Sequence, residues 1–279
     1  MKNLKTLIRK ILKPFNFSIP VRFSGSRIRI PLINAMGVEN IRISNHEHFM
    51  LHCIRKFHTR GATFLDIGAN IGQTLLKLKV VDKSAPYIGI EPNPYCLFYL
   101  QHLVKYNNFK SCRFISAGAS DKTGLFPLHV DVERSVQTSS GATFIENYKA
   151  NKNPKNDLLL ACLPLSKENC STLFMKKIGI IKVDIEGGEY FALNGLKWLI
   201  DRDNPIIILE NLREHKSLPV RVEINTLLND LIGDLNYKLF EIIDKNSEIS
   251  YKVVQSFGGK VDKHSTNNFL VVPKTLNIF

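Results

Sequence analysis

One short string constrains this chain more than any other feature. Phe64-Leu65-Asp66-Ile67 is an apolar run carrying one acid, and Gly68-Ala69-Asn70-Ile71-Gly72-Gln73 follows it. The run reads as a buried strand that turns sharply into a helix. A second apolar run, Tyr87 to Ile90, ends in Glu91, 19 positions after Gly72. Glycines let backbone come close to a neighbour, and a carboxylate beyond the next strand can hold two ribose hydroxyls. Strand, glycine turn, helix, strand and acid together form the layout of a nucleoside site on a doubly wound sheet.

The glycine spacing narrows the nucleoside. A dinucleotide fingerprint, G-x-G-x-x-G from Gly68, needs glycines where the chain has Asn70 and Gln73. No Lys-Ser/Thr pair follows the turn, so a phosphate-binding P-loop is excluded as well. What remains is Asp66-x-Gly68-x-Asn70-x-Gly72, which resembles the first motif of class I methyltransferases that use S-adenosylmethionine. That cofactor has an amino acid tail and no phosphate. A carboxylate near the turn suits its ammonium, directly or through water, and backbone N–H groups suit its carboxylate. Asn70 is tolerable in place of Gly because Asn visits left-handed backbone readily. Asp66, Gly68, Asn70, Gly72 and Glu91 are therefore the expected cofactor-binding residues.

Three strings sharpen the resemblance: Asp66 to Gly72, Glu91-Pro92-Asn93-Pro94, and Ile181-Lys182-Val183-Asp184-Ile185-Glu186-Gly187-Gly188-Glu189. In order and spacing they are similar to the FkbM family of methyltransferases, from about residue 47 to the C-terminus, roughly four-fifths of the chain. The resemblance implies O-methyl transfer from S-adenosylmethionine, often to sugar or polyketide hydroxyls. One departure stands out. The family often shows a Leu-Asp pair opening a helix before the third string, and here the stretch is Leu163-Pro164-Leu165-Ser166. Ser166 or Asn169 is then expected to cap that helix.

Alternating patterns place strands near 63–67, 87–91, 112–117, 179–185, 205–210, 237–243 and 268–273, with helices near 71–80, 94–106, 170–177, 189–199 and 220–232. The fold class is α/β, a doubly wound, mainly parallel seven-stranded sheet. A reversed final strand pair is implied by the resemblance. Residues 46–279 form the expected methyltransferase domain, with an insertion near 125–160 where small polar and breaker residues interrupt the alternation. Residues 1–45 form a basic extension. Leu4, Leu7, Ile8, Ile11 and Leu12 recur at helical spacing over 3–13, and Arg27 to Leu32 alternates as a strand or hairpin arm.

Ligands on such sheets sit beyond the carboxyl ends of the strands. Asp66, Glu91, Asp184 and Glu210 all fall at or just past such ends. Asp184, Glu186 and Glu210 are the candidate catalytic residues, because a hydroxyl acceptor must lose a proton during transfer. Glu189 could instead cap the following helix. Asn211 and His215 lie nearby, His215 as a second possible base. Asp184, Glu210 and Asn211 offer oxygen ligands suited to Mg²⁺, but nothing in their spacing demands a metal, and His46, His48, His52 and His58 complete no zinc pattern. No metal is expected.

Charge bears on partners. Of the net +13, residues 1–60 hold twelve Lys or Arg against Glu39 and Glu47, or +10, which leaves +3 for the other 219 residues. The core is nearly neutral, and no aromatic-basic RNA motif accompanies it, so nucleic acid is not the expected partner. A small-molecule or glycan acceptor is. The main reading is an O-methyltransferase acting on a glycan, glycolipid or secondary metabolite. N-methylation of RNA or protein, or a cofactor-binding module without turnover, are the alternatives. The apolar stripe and five cations of residues 1–15 suit an anionic membrane surface, and equally a core or dimer contact. Five scattered cysteines, with no C-x-x-C pair, point to a reducing, cytoplasmic compartment.

Overall fold

The computed structural model describes residues 16–34, 36–43, 47–128, 144, 158–211, 219–258 and 262–276. The expected helix over 3–13, the polar stretches 135–141 and 151–157, His46 and His215 lie outside them.

Among the described residues the chain forms thirteen strands and eight helices. The central sheet contains β3 (Thr63–Ile67), β4 (Tyr87–Ile90), β5 (Cys112–Ile115), β9 (Ile178–Val183), β10 (Ile206–Glu210), β11 (Tyr237–Lys245), β12 (Glu248–Val254) and β13 (Ser265–Pro273). Their spatial order is β12-β11-β13-β10-β9-β3-β4-β5. The five strands from β10 to β5 are parallel, and β13 slots in antiparallel between β10 and β11. This parallel set with one reversed strand beside it is the class I methyltransferase order. All seven expected strands form. An eighth, β12, is added by a hairpin from β11 at the sheet's edge.

Side-chain alternation divides the core in two. Phe64, Ile180 and Ile208 face a cluster that includes Phe49, Leu75, Leu78, Cys96 and Leu100. These come from α2 (His48–Phe57), α3 (Gln73–Val81) and α4 (Pro94–Asn107). Leu65, Ile181 and Ile207 face the other cluster, with Leu193, Leu199, Ile224 and Leu228. Those come from α6 (Glu189–Gly195), α7 (Lys197–Asp203) and α8 (Pro219–Asp234). Burial on both faces explains why strands such as Ile-Ile-Ile-Leu are apolar throughout. The helix expected over 189–199 breaks at Leu196 into α6 and α7. The one expected near 170–177 is instead a single turn, α5 (Lys167–Cys170), and no side-chain hydrogen bond from Ser166 caps it. Asn169 Nδ2 donates to the Pro164 carbonyl.

Before the sheet, β1 (Asn16–Phe23) and β2 (Ser26–Ile33) form a hairpin, and α1 (Val38–Ile41) is a single turn. Phe23, Ile28, Ile30 and Leu32 join the α4-side core. Tyr99 Oη of α4 donates to the Pro31 carbonyl at 3.0 Å. A three-stranded sheet of β6 (Gly118–Ala119), β8 (Leu158–Leu163) and β7 (Gly124–Leu128) brackets the region of the expected insertion.

Candidate active site

The parity of each strand fixes what gathers at the sheet's carboxyl edge. Asp66 shares its face with Phe64, Lys182 with Ile180 and Glu210 with Ile208, so all three point toward the α2–α3–α4 layer. Lys182 is the hub. Its Nζ lies 3.1 Å from Asp184 Oδ2, 3.4 Å from Asp66 Oδ1 and 3.4 Å from the Gly68 carbonyl. Burial alone would lower its pKa, but Asp184, Asp66 and Glu47 together hold it above the ordinary lysine range. It is a permanent cation.

Asp184 stands one residue past β9, its side chain 28% exposed. Its N–H donates to the Ile67 carbonyl at 3.0 Å. Glu210, at the end of β10, is pushed well above the ordinary carboxylate range by burial and by the neighbouring Asp184, with which it is hydrogen-bonded. The Asp184–Glu210 pair therefore holds one proton between its two carboxyls at neutral pH, with Glu210, the more buried partner, favoured in its neutral form. Two like charges cannot share so small a space, and one proton resolves the conflict.

Glu186 and Glu189 follow in the signature loop. Glu186 sits in left-handed backbone at φ 57° and its charge reaches both Glu189 and Glu210. Glu189 bends back over the turn: its Oε1 accepts from the N–H of Gly187 at 3.0 Å and of Ile185 at 3.4 Å. Burial lifts its carboxyl to about 7, against the bonds from Gly187 and from its own backbone N–H. Its place is thus structural, pinning the loop that begins with Asp184. Asn211 is turned by its neighbour, its Nδ2 donating to Asn225 Oδ1 at 2.7 Å.

The glycine turn differs in detail from its expected use. A Cβ on Gly68 would fall 2.0 Å from the Asp184 carbonyl oxygen, and one on Gly72 would meet Leu100 and Leu103 at 2.7 and 2.8 Å. Both have positive φ, 87° and 79°, as does Asn70 at 45°. The glycines thus allow protein to approach protein: loop against loop at Gly68, helix against helix at Gly72. The anion cradle expected from backbone N–H groups is also largely spent. Gly68 and Ala69 N–H both donate to the Ile90 carbonyl, Gly72 N–H to Ala69, and Asn70 N–H to Glu91.

Asp66 is fully buried. Its Oδ2 accepts from Tyr87 Oη at 2.6 Å and its Oδ1 faces Lys182. It supports the loop from behind. Glu91 is different. Its Oε2 accepts from Asn70 N at 2.8 Å and its Oε1 from Asn93 N at 2.9 Å. Each oxygen retains a second lone pair. Burial raises its carboxyl to about 7, against the two backbone bonds. A fixed, buried carboxylate that gains from additional donors fits the vicinal hydroxyls of a ribose.

Three partners were not singled out from sequence. Tyr87 and Asn93 read only as strand and turn residues. Lys77, fully buried in α3, pairs with Glu47 Oε2 at 2.8 Å. Burial opposes charge on Glu47, yet Lys77 and Lys182 hold it below the ordinary carboxylate value. The available signal was a lysine inside the otherwise apolar run Leu75-Leu76-Lys77-Leu78. Of the histidines, His58 is occupied by Asp82, 3.1 Å away.

The sequence pattern of the Methyltransferase FkbM domain matches residues 66–244, well over half of the chain. The chain belongs to the FkbM methyltransferase family. The domain it carries is that of the S-adenosylmethionine-dependent methyltransferases. Among solved structures, it is similar to an FkbM methyltransferase from Methylobacillus flagellatus KT, at 16% identity and TM-score 0.45. That match covers 83% of this chain and 53% of the other, so this FkbM protein spans about half its length. Fibrillarin from Aeropyrum pernix, with natively bound S-adenosyl-L-methionine, is similar at 9% identity and TM-score 0.47, covering 94% and 86%. An O-methyltransferase from Bacillus cereus in complex with SAH is similar at 11% and 0.45, covering 81% and 80%. No curated protein matches the chain.

Proposed function

We propose that this FkbM protein methylates a hydroxyl of a glycan, glycolipid or secondary metabolite. The supporting observation is the Lys182–Asp184–Glu210 constellation beside the Gly68 turn. An amine acceptor that arrives neutral already has its nucleophilic lone pair. A hydroxyl must shed a proton as its oxygen bonds carbon, and so calls for an oriented proton acceptor.

When bound, S-adenosylmethionine supplies an electrophilic methyl on a positively charged sulfur, which leaves without assistance. Glu91 would hold its ribose. Asp184, partly open at the edge, accepts the hydrogen bond of the acceptor hydroxyl and so aims the oxygen. Lys182 and the proton shared with Glu210 both stabilise the Asp184 carboxylate, which makes it a weak base. It takes the proton late, as the oxygen–carbon bond forms and the hydroxyl becomes acidic. Lys182 stays charged throughout, and the proton shared with Glu210 fixes the Asp184 side chain.

Titration of the pure protein with S-adenosylmethionine, NAD and NADP tests the cofactor. Mass spectrometry of acceptor mixtures then tests the transfer. Sugar or lipid-linked sugar hydroxyls gaining one methyl support the reading. Methylation confined to amines of RNA or protein overturns it.

A further inference from the structure

The outward face of α4 carries an aromatic row with nothing described packed over it. Tyr95, Phe98 and Tyr106 are 40%, 48% and 42% exposed. They follow helical spacing with His102, whose ring lies 4.4 Å from that of Phe98 and 6.4 Å from that of Tyr106. Lys105 is exposed in the same row. The opposite face of the helix, with Cys96, Tyr99, Leu100 and Leu103, is buried, so the row is not surplus core.

The charges that the helix and the neighbouring hairpin themselves carry have one sign. The β1–β2 hairpin abuts the end of α4: Arg29 N–H donates to Asn107 Oδ1 and Asn107 Nδ2 to the Arg29 carbonyl, both at 2.7 Å. Arg22, Arg27 and Arg29 lie exposed on the hairpin, with Arg22 directly opposite Arg27. Arg29 is oriented across the hairpin by two bonds to Ser18 Oγ. Neither residues 16–33 nor residues 94–115 contain an Asp or Glu.

We propose that α4 and the hairpin form a docking face for an anionic lipid bilayer. Phe98 inserts at the interface, Tyr95 and Tyr106 sit at headgroup level, and the four cations meet the lipid phosphates. Tyrosine rings at the headgroup boundary beside arginine and lysine are the composition that such an interface selects. The face is a convex helix rather than a groove, and the His102 ring leans over Phe98 at an interplanar angle of 49°. A nucleic acid would need open rings on which to stack its bases, so the bilayer is the better fit. The site is distinct from residues 1–15, and it does not depend on which acceptor is methylated.

Full-length protein is sedimented with vesicles of pure phosphatidylcholine and of phosphatidylcholine with about one-third phosphatidylglycerol. Parallel samples carry F98E/Y106E, R27E/R29E, or a deletion of residues 2–14. Binding to the anionic vesicles alone, weakened by salt, is expected. Each double variant should weaken it by at least tenfold, with cofactor affinity and thermal midpoint retained. The deletion should leave a measurable, salt-sensitive remainder that F98E/Y106E removes. The proposal fails if the parent ignores anionic vesicles or binds both vesicle types alike. It also fails if the deletion alone accounts for all binding, or if the double variants abolish single-stranded RNA binding while vesicle binding is unchanged.

Discussion

The state of Glu91 sets a pH dependence that can be worked out before any measurement. Its folded pKa is about 7 against an ordinary 4.5, because burial outweighs the two backbone donors. Ribose hydroxyls donate hydrogen bonds, so they bind the carboxylate and disfavour the carboxylic acid. The ionised fraction is about nine-tenths at pH 8 and about one-tenth at pH 6, so affinity for a ribose ligand should fall about tenfold between them. S-adenosylmethionine carries its own titrating amine, so the cleaner probe is 5′-deoxy-5′-methylthioadenosine, which keeps adenine and ribose and has no amino acid tail. Calorimetry at pH 6, 7 and 8 should show the fall, with protons released on binding near pH 7. Glu91→Gln should flatten the profile and weaken binding at pH 8 by at least about tenfold, the smallest loss expected for a charged hydrogen bond. The ligand-free protein should show the opposite trend. A raised acid favours the fold in its neutral form, so this group's contribution is largest below pH 4.5 and declines as pH rises through about 7. Its span is about 3 kcal/mol as an upper bound. A pH-independent affinity in the parent, or parent affinity at pH 8 in a folded Glu91→Gln variant, would refute the reasoning.

Other expectations can be checked with the same material. Asp184→Asn should lower kcat by about 10²–10⁴-fold while the Kd for cofactor stays within about threefold, measured by product release and calorimetry; near-parent turnover removes Asp184 from the transfer step. Gly68→Ala should be far worse than Gly72→Ala, about 4 kcal/mol or more against 1–3, because the first Cβ strikes a carbonyl and the second two leucine side chains that can shift; denaturant midpoints ranking them the other way would contradict this. Lys77→Met should cost about 2–4 kcal/mol, somewhat less than for a fully buried pair because Glu47 is 28% exposed. Adding Glu47→Gln should recover much of that loss, and purely additive costs would show that the pair is not coupled.

The fold was legible because burial on both faces of a parallel sheet leaves a strong trace. Runs such as Ile206 to Leu209 and Ile178 to Val183 are too short for a core helix and too apolar for a surface loop, and their strands formed within two residues of expectation at each end. β12 was missed although Glu248-Ile249-Ser250-Tyr251-Lys252-Val253 alternates polar and apolar, the pattern of a half-buried strand at a sheet's edge. The break at Leu196 was signalled by Asn194-Gly195, but Leu193, Leu196 and Leu199 are all fully buried and keep the helical period across it, which masked the stop.

The acids at the sheet edge show where sequence reading stops. Asp66 and Glu91 each follow an apolar run and precede a turn, and nothing in composition separates them. Position relative to the last paired residue does. Asp66 lies inside β3, flanked by β4 and β9, so its carboxylate is sealed beneath the loop and serves Lys182 and Tyr87. Glu91 lies one residue beyond β4, buried against the Asn70 and Asn93 N–H groups of the turns, and Asp184 one beyond β9, where its side chain is partly open. Strand ends read from sequence are uncertain by more than that single residue. Which carboxylate is sealed beneath the loop and which stands past the strand end is therefore decided by backbone pairing, and the buried cation Lys182 becomes meaningful only once that pairing has brought Asp66 and Asp184 to either side of it.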